Sequence, residues 1–518
     1  MSTTTTIRVP KLGQYGVNKD LSQHELPPNV WTDASNMRFL DGACSQVLGY
    51  KEFYPGSTVV PLHVMPLVVG GARAWIYASA NKIYTVINGP THTNITRQTS
   101  SADVNYGAAV NSWTSCLIGG IPVLNNGVDA PQQWLLTGKA TALSAWPTGY
   151  TAQSVRTYKN SLVALNITKN GVNYPYMVKW SHPADPGSVP VTWDIADATK
   201  DAGESDLSDG YDKIVDGLVL RDSFMIYKES SVWRMDFTGG VYVYRFQKVL
   251  GASGALSKNC IVELDGQHFV LSSSDCMIHD GQTASSILDK QTRRFLFRQI
   301  NPAYSDRCFV FVNRLYNEVF VCYPSLDSST CNKAMVWNFV DKTISFRDMP
   351  SLNHASNGAI DDASGATWSS ETAAWDADTS LWDSNFSSLT RSMAVMASND
   401  QKLYLLDSGA TFDGVVPTAY LERVGLSLGT PETVKLVKSV RPRIYGAVGS
   451  TVLVSIGSSS DPYSTVTYNA PVTFTIGSTV NVDSFCTGRY IALKFETGTA
   501  ASWRLDSYDI DVSAGSAW

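Results

Sequence analysis

The sequence predicts an all-β chain organised around a β-propeller, and three observations carry that prediction. Its 518 residues hold 44% hydrophobic but only 17% charged side chains, with 38 Gly, 24 Tyr and 14 Trp, the profile of a turn-rich β protein. Short runs rich in Val, Ile, Tyr, Phe and Trp are separated throughout by Gly, Asn, Asp and Ser. From about residue 55 to 410 these runs recur at close spacing. A stretch of that length suits a radial array of four-stranded blades, each taking roughly 40 to 50 residues. About six blades with elaborated connections are expected, and no strict repeat such as one W-D dipeptide per blade fixes the number.

Residues 1–50 are expected to form an extended N-terminal arm. The first ten, MSTTTTIRVP, contain no apolar segment. The most apolar later stretch, Val59 to Ala80, is interrupted by Pro61, His63, Pro66 and Arg73, so a soluble chain without a secretion signal or a membrane-spanning segment is expected. The stretch GVNKDLSQHELPPNVWTDASNMRF, residues 16 to 39, is polar and proline-broken, yet it carries Trp31, Met37 and Phe39. Such a segment buries little by itself. Leu26, Pro27, Pro28 and Trp31 are therefore read as anchors that dock it on its own propeller or on a neighbour, the alternative being a strand that completes a blade of the same chain.

Residues 51–414 are assigned to the propeller. ARAWIYASANKIYTVING, SWTSCLIGGIPVLNNG and DSFMIYKESSVWRMDFTGGVYVYRFQKV read as hairpins. CIVELDGQHFVLSSSDCMIHDGQ reads as three strands, its Asp-Gly turn supplying the positive φ that tight hairpins require. One helix is expected over Leu288 to Ile300, between blades. RCFVFVNRLYNEVFVCY reads as a hairpin centred near Leu315 with Cys308 opposite Cys322, both thiols free. Trp368, Trp375 and Trp382 recur every seven residues among Ser, Thr and Asp and are expected to anchor an irregular loop. Residues 415–518 contain the basic run VKLVKSVRPRI and four further strand-like runs, and are assigned to a separate C-terminal β docking domain.

The residues that chemistry would need are sparse. A net charge of −6 and a pI near 5.7 do not indicate a broad basic face for nucleic acid. Eight cysteines form no C-x-x-C pair and seven histidines form no H-E-x-x-H, so no zinc site is suggested; His268 and His279, eleven apart, are given a structural role. Neither a G-x-S-x-G elbow nor a phosphate-binding G-x-x-x-x-G-K-[ST] loop occurs. No catalytic residue, cofactor or metal site is assigned, and the chain is not expected to be an enzyme.

The densest acidic segment, residues 193 to 212, holds Asp194, Asp197, Asp201, Glu204, Asp206, Asp209 and Asp212. It is read as a solvated connection or an acidic rim, and as the candidate for a lumen or rim position. A cation site and a pair of catalytic carboxylates are its alternatives. A glycan-binding or glycan-cleaving propeller is accordingly the second functional reading.

The order GVNKDLSQHELPPNVWTDASNMRFLDGACSQVLGY, residues 16–50, resembles the start of tail proteins of short-tailed bacteriophages. The resemblance lies in D-L-x-x-H-E-L-P-P-N, then W-T-D-x-x-N-x-R-F, an Asp-Gly turn and a closing G-Y. GGIPVLNNGVDAPQQW, MVKWSHPADPGSVPVTWD, DSFMIYKESSVWRM, GQHFVLSSSDCMIHDGQ and GRYIALKFE followed by WRLDSYDID extend it over most of the chain. The family is the tail hub or nozzle, also called packaged-DNA stabilisation proteins. The resemblance implies a β-propeller subunit of a homo-hexameric ring in the virion tail, assembled in the host bacterial cytoplasm. It further implies an adaptor ring (the head-tail connector) above, needle, fibre or spike proteins nearby, and double-stranded DNA passing through transiently without sequence preference during ejection. Acidic walls fit that passage, since a basic lining would add affinity at each phosphate.

Overall fold

The computed structural model describes residues 4–107, 113–240, 242–360 and 392–517. Trp368, Trp375 and Trp382 lie outside the described residues. Strands dominate, and the helix expected from the sequence forms as α1, Lys290–Gln299, between the fifth and sixth blades.

Five four-stranded antiparallel sheets follow one another along the chain. The first begins with His63–Val69, the second with Thr114–Ile118, the third with Tyr150–Tyr158, the fourth with Ile214–Leu220 and the fifth with Ile261–Leu264. The next sheet has seven strands because one long strand, Ile344–Ala359, serves two blades. Its start pairs with Cys331–Asn338 as the outer strand of the sixth blade. Its end pairs with Ser392–Ser398 as the inner strand of the seventh. Tyr50–Glu52 supplies the outer strand of that seventh blade, beside Leu403–Leu406.

Packing closes the circle. Seven clusters of buried apolar residues each lie between two consecutive blades, and the last joins Val64, Trp75 and Tyr77 of the first blade to Val395 and Leu405 of the seventh. Among the described residues the propeller therefore has seven blades, not the six expected from spacing. The shared strand and the three-residue closing strand hide one blade from any count of local hairpins. Hairpin turns follow the expected chemistry: Asp265 and Gly266 both have positive φ, 48° and 81°.

Residues 1–50 are not a free arm. Thr4–Val9 and Ala43–Gln46 pair with the C-terminal strand Trp503–Ala517, and Asp33–Ser35 pairs with Tyr420–Leu426. Both ends of the chain thus build one sandwich of two six-stranded sheets around a single apolar core. The first fifty residues and the region beyond 415 are one unit rather than an arm and a separate domain. The physical reason is burial: the few apolar residues of the segment, Val9, Leu12, Val17, Trp31, Met37 and Phe39, cannot close a core by themselves, and Leu421, Val454, Phe495 and Tyr508 complete it.

The hairpin after Cys308 also differs by one residue. Phe309 faces Cys322 and Asn313 faces Glu318, because the turn spans four residues with Asn317 at positive φ; Cys308 lies off register and both thiols are free.

His268 and His279 face one another on neighbouring strands of the fifth blade. Tyr227 Oη lies 2.6 Å from His268 Nδ1 and 2.6 Å from His279 Nε2. His268 Nε2 is 2.9 Å from the Val219 carbonyl, and His279 Nδ1 accepts from Gly281 N. Every group is satisfied only when both rings are neutral: His279 donates to Tyr227, and Tyr227 donates to His268. Burial holds both imidazoles down, to about 4. The unfolded chain takes up these protons near pH 6.5, before the folded one does, so the stabilisation present above that pH is lost as pH falls toward 4. Each ring contributes on the order of 3 kcal/mol to the loss. Urea midpoints should fall steeply between pH 6.5 and 4, whereas a flat profile over that window would show that the rings are not held neutral.

Candidate functional site

The inner strands of the seven blades surround an axial cavity of about 320 Å³. Six of them contribute a polar residue to it: His63, Ser115, Arg156, Asp216, Asn259 and His354. Five of them stand on the innermost strands of their blades and Asn259 just before one, so the propeller's own geometry gathers residues that are far apart in sequence.

Arg156 and Asp216 form the centre of this group. Nε and Nη2 of Arg156 donate to the two carboxylate oxygens of Asp216, at 2.9 and 2.5 Å. Arg156 also donates to the Asn259 side-chain oxygen and the Ser115 carbonyl. Ser154 Oγ and the backbone N–H groups of Gly217 and Asn259 complete the shell of Asp216. Burial alone would push the Asp216 carboxyl up, but Arg156 and these donors outweigh it and hold it below the ordinary carboxylate range.

His63 Nε2 lies 2.7 Å from Ser115 Oγ and links the first blade to the second. Its ring packs 4.1 Å from that of His354, whose Nδ1 accepts from the Val64 N–H. His63 Nδ1 is buried without a partner. Burial first, then the neighbouring imidazole and Arg156, hold His63 well below its usual value; burial and Arg156 hold His354 at about 3. Both rings are neutral at physiological pH. A Ser–His contact alone does not make a nucleophile, because His63 Nδ1 lacks the carboxylate that would orient and charge the ring.

The acidic segment sits elsewhere. Glu204 and Asp206 lie on the outermost strand of the third blade, Gly203–Asp206, and the other five flank it in sequence; none of the seven lines the axial cavity. Glu204 is held by Lys169 and Lys179 at 2.8 and 3.2 Å, Asp209 by Lys248 at 3.3 Å, and Asp212 by the buried Lys228 at 2.9 Å. Despite some burial, Lys228 and the hydroxyls of Ser230 and Ser231 bring Asp212 to about 2. Asp194 and Asp197 close local turns through Ala196 and Thr199, and Asp201 and Asp206 are exposed. Among the described residues no group of three or more His, Cys, Asp or Glu is placed to hold a metal ion.

The four anchor candidates divide. Trp31 is fully buried in the sandwich, its Nε1 donating to the Leu12 carbonyl at 2.8 Å. Leu26 is buried, and its carbonyl receives Arg423 Nη2 at 2.7 Å. Pro27 and Pro28 are exposed, and the Pro28 carbonyl accepts from Tyr508 Oη. Trp31 thus packs in the sandwich core of its own chain and Leu26 is buried beside Arg423, whereas the two prolines stay at the surface.

Sequence reasoning missed the clamp between sandwich and propeller. Arg38 donates to both oxygens of Glu318, at 2.6 and 2.9 Å, and to Asp407 at 2.9 Å. Arg347 reaches the other oxygen of Asp407 at 3.0 Å. Asn36, with φ 56°, exchanges hydrogen bonds with Asp348 through both its side-chain atoms, at 2.8 Å each. Burial pushes both carboxyls up; the two guanidiniums overcome it at Asp407, which is lowered, while Glu318 stays raised. Gly49 then passes so close to the Thr411 carbonyl that any side chain would collide with it. Asn36, Arg38 and Gly49 belong to the W-T-D-x-x-N-x-R-F and G-Y motifs, which was the signal available in the sequence.

No known family profile and no curated protein matches the chain. Among solved structures, a fungal alcohol oxidase of the AA5 family, in complex with copper, has 12% identity and a TM-score of 0.40, covering 89% of this chain and 92% of its own. An extracellular domain from B. thetaiotaomicron assigned to a one-component system has 7% identity and a TM-score of 0.41, covering 90% of this chain and 62% of its own. Another from B. thetaiotaomicron, assigned to a hybrid two-component system, has 10% identity and a TM-score of 0.33, covering 65% of this chain and 40% of its own. The fold assignment rests on the sheets and the inter-blade clusters described above.

Proposed function

We propose that this chain is a structural subunit of a short-tailed phage tail, a hub or nozzle protein whose ring extends the portal and adaptor channel, retains packaged DNA and conducts it during ejection. The observation that carries the reading is that the motif residues behind the resemblance have a mechanical task. Trp31 anchors the sandwich core, while Asn36 and Arg38 bind it to the sixth and seventh blades. Two domains fixed by buried ion pairs make a stiff building block, and a closed ring of such blocks can bear load.

The axial cavity bears on where DNA would run. A space of about 320 Å³, lined in part by the Arg156–Asp216 pair, is far too small for a duplex. The channel is therefore formed between copies and not through the propeller axis. A glycan-cleaving reading would need two carboxylates flanking one bond. Asp216 alone of the cavity-lining residues is acidic, and Arg156 and Ser154 occupy it. Mixing the purified chain with connector-bearing particles tests the proposal: a ring of copies below the connector is the expected product.

A further inference from the structure

The helix α1 carries four cations and no carboxylate, in a chain whose net charge is −6. Its underside is fixed. Thr292 and Leu296 are buried, Leu296 in the core between the fifth and sixth blades, and the Phe295 ring meets that of Phe346 edge-on at 5.2 Å. Arg293 is paired with Asp275 at 2.9 Å. Lys290, Arg294 and Arg298 remain on the solvent side, four residues apart and therefore in one row along the helix. Among the described residues none of the three has an ion-pair or hydrogen-bond partner. Asp20 accepts the Gln291 backbone N–H, and Asp289 stands ahead of the first turn, where the helix dipole favours an anion. Like charges four residues apart repel, and Lys290 faces the positive end of the same dipole, so the row is held at a cost to the helix and lacks a counter-charge within the subunit.

We propose, resting on the hub reading above, that α1 is the element that grips the phosphate backbone of double-stranded DNA, through Lys290, Arg294 and Arg298 and without reading its sequence. The three cations follow one another at intervals of about 6 Å and span about 12 Å. A duplex presents roughly seven phosphate charges over that length of its axis, so the row meets phosphates in any register. The helix lies where propeller and sandwich join, since Lys19 stands over the Phe295 ring and Asp20 holds the Gln291 N–H. No α1 residue lines the axial cavity, so the row faces the outside of the subunit, which is the side a channel between copies can reach. Retention of DNA then comes from a local basic row on an acidic chain, not from a broad basic face.

Fluorescence anisotropy of the full chain with labelled duplexes of unrelated sequence, at low salt, tests the contact without requiring a ring. Equal binding to each duplex is expected, with log K falling against log salt at a slope of about −2.7, roughly 0.9 for each of three phosphates neutralised. Lys290→Gln, Arg294→Gln and Arg298→Gln together should weaken binding by about tenfold or more, and glutamine is a good enough helix former to leave α1 folded. Lys159→Gln, Arg245→Gln and Lys248→Gln together remove the same charge from the third and fourth blades and should leave binding unchanged. No binding by the wild-type chain, or equal binding by the α1 variant, would overturn the proposal whether or not a ring forms. Tighter binding to polyglutamate than to the duplex would assign the row to an acidic protein and overturn it as a DNA contact. Failure of the wild-type chain to form a ring on connector-bearing particles would instead overturn the hub reading, with the duplex titration still deciding what α1 binds.

Discussion

Replacing Arg38 with methionine should destabilise the folded chain by about 3–5 kcal/mol, because it leaves Glu318 and Asp407 buried with one guanidinium between them. Arg38, Glu318, Asp407 and Arg347 are all at most 5% exposed at the side chain, so solvent cannot screen the imbalance. Asn313, which donates to Asp407 at 2.7 Å, supplies no charge. The companion variant separates loss of charge balance from loss of packing. Arg38→Met together with Glu318→Leu removes one cation and one anion, leaves Arg347 paired with Asp407, and should recover most of the stability. Urea unfolding of the three proteins reads the result. Equal destabilisation of the single and double variants would mean that the quartet acts through shape alone.

Deleting residues 1–30 should prevent the sandwich from folding, rather than leave a soluble core that merely fails to dock. The deletion removes the strand Thr4–Val9 from the edge of Trp503–Ala517 and takes Leu12, Val17, Leu26 and Val30 out of the buried set. It also strips the carbonyls of Gln23 and Leu26 from Arg423, which is 1% exposed and faces main-chain carbonyls rather than a carboxylate. Burial already draws that guanidinium down to about 10, so its remaining partners matter. An uncompensated buried cation costs several kcal/mol by itself, on top of the lost apolar burial. The truncated chain should be recovered as aggregate, and a synthetic peptide of residues 1–30 supplied during refolding should restore soluble protein. A monomeric truncation that unfolds cooperatively at the full-length Tm would show that these contacts contribute little.

The strands and turns of the propeller were legible because each hairpin is local: alternation sets the faces, and pairs such as Asp265–Gly266 set the reversal. The helix Lys290–Gln299 was legible for the same reason, with Phe295, Leu296 and Phe297 set between polar residues and Leu296 buried. What closes the fold was not. Tyr50–Glu52 is three residues long and pairs with Leu403–Leu406, and Thr4–Val9 pairs with residues at the opposite end of the chain. No local pattern announces a partner that distant. The short segment looked like an arm because its apolar residues complete a core built by the C-terminal strands.

The axial group was illegible for a related reason. Ser115, Arg156, Asp216 and Asn259 are ordinary residues in isolation, and only the radial arrangement brings them to one cavity. His63 and His354 stand far apart in sequence, yet the closure of the seventh blade on the first stacks them. The acidic run from Asp194 to Asp212 does not act as one group. Its density suggested one surface, but the strand Gly203–Asp206 and the neighbouring lysines divide it among separate pairs.

Native mass measurement combined with electron imaging of the chain bound to connector-bearing particles tests the central claim most directly. The account predicts a closed ring of six copies below the connector, with the lumen between subunits and each propeller axis blocked. A chain that stays monomeric in the presence of the connector, or a duplex seen threading a propeller axis, would contradict it.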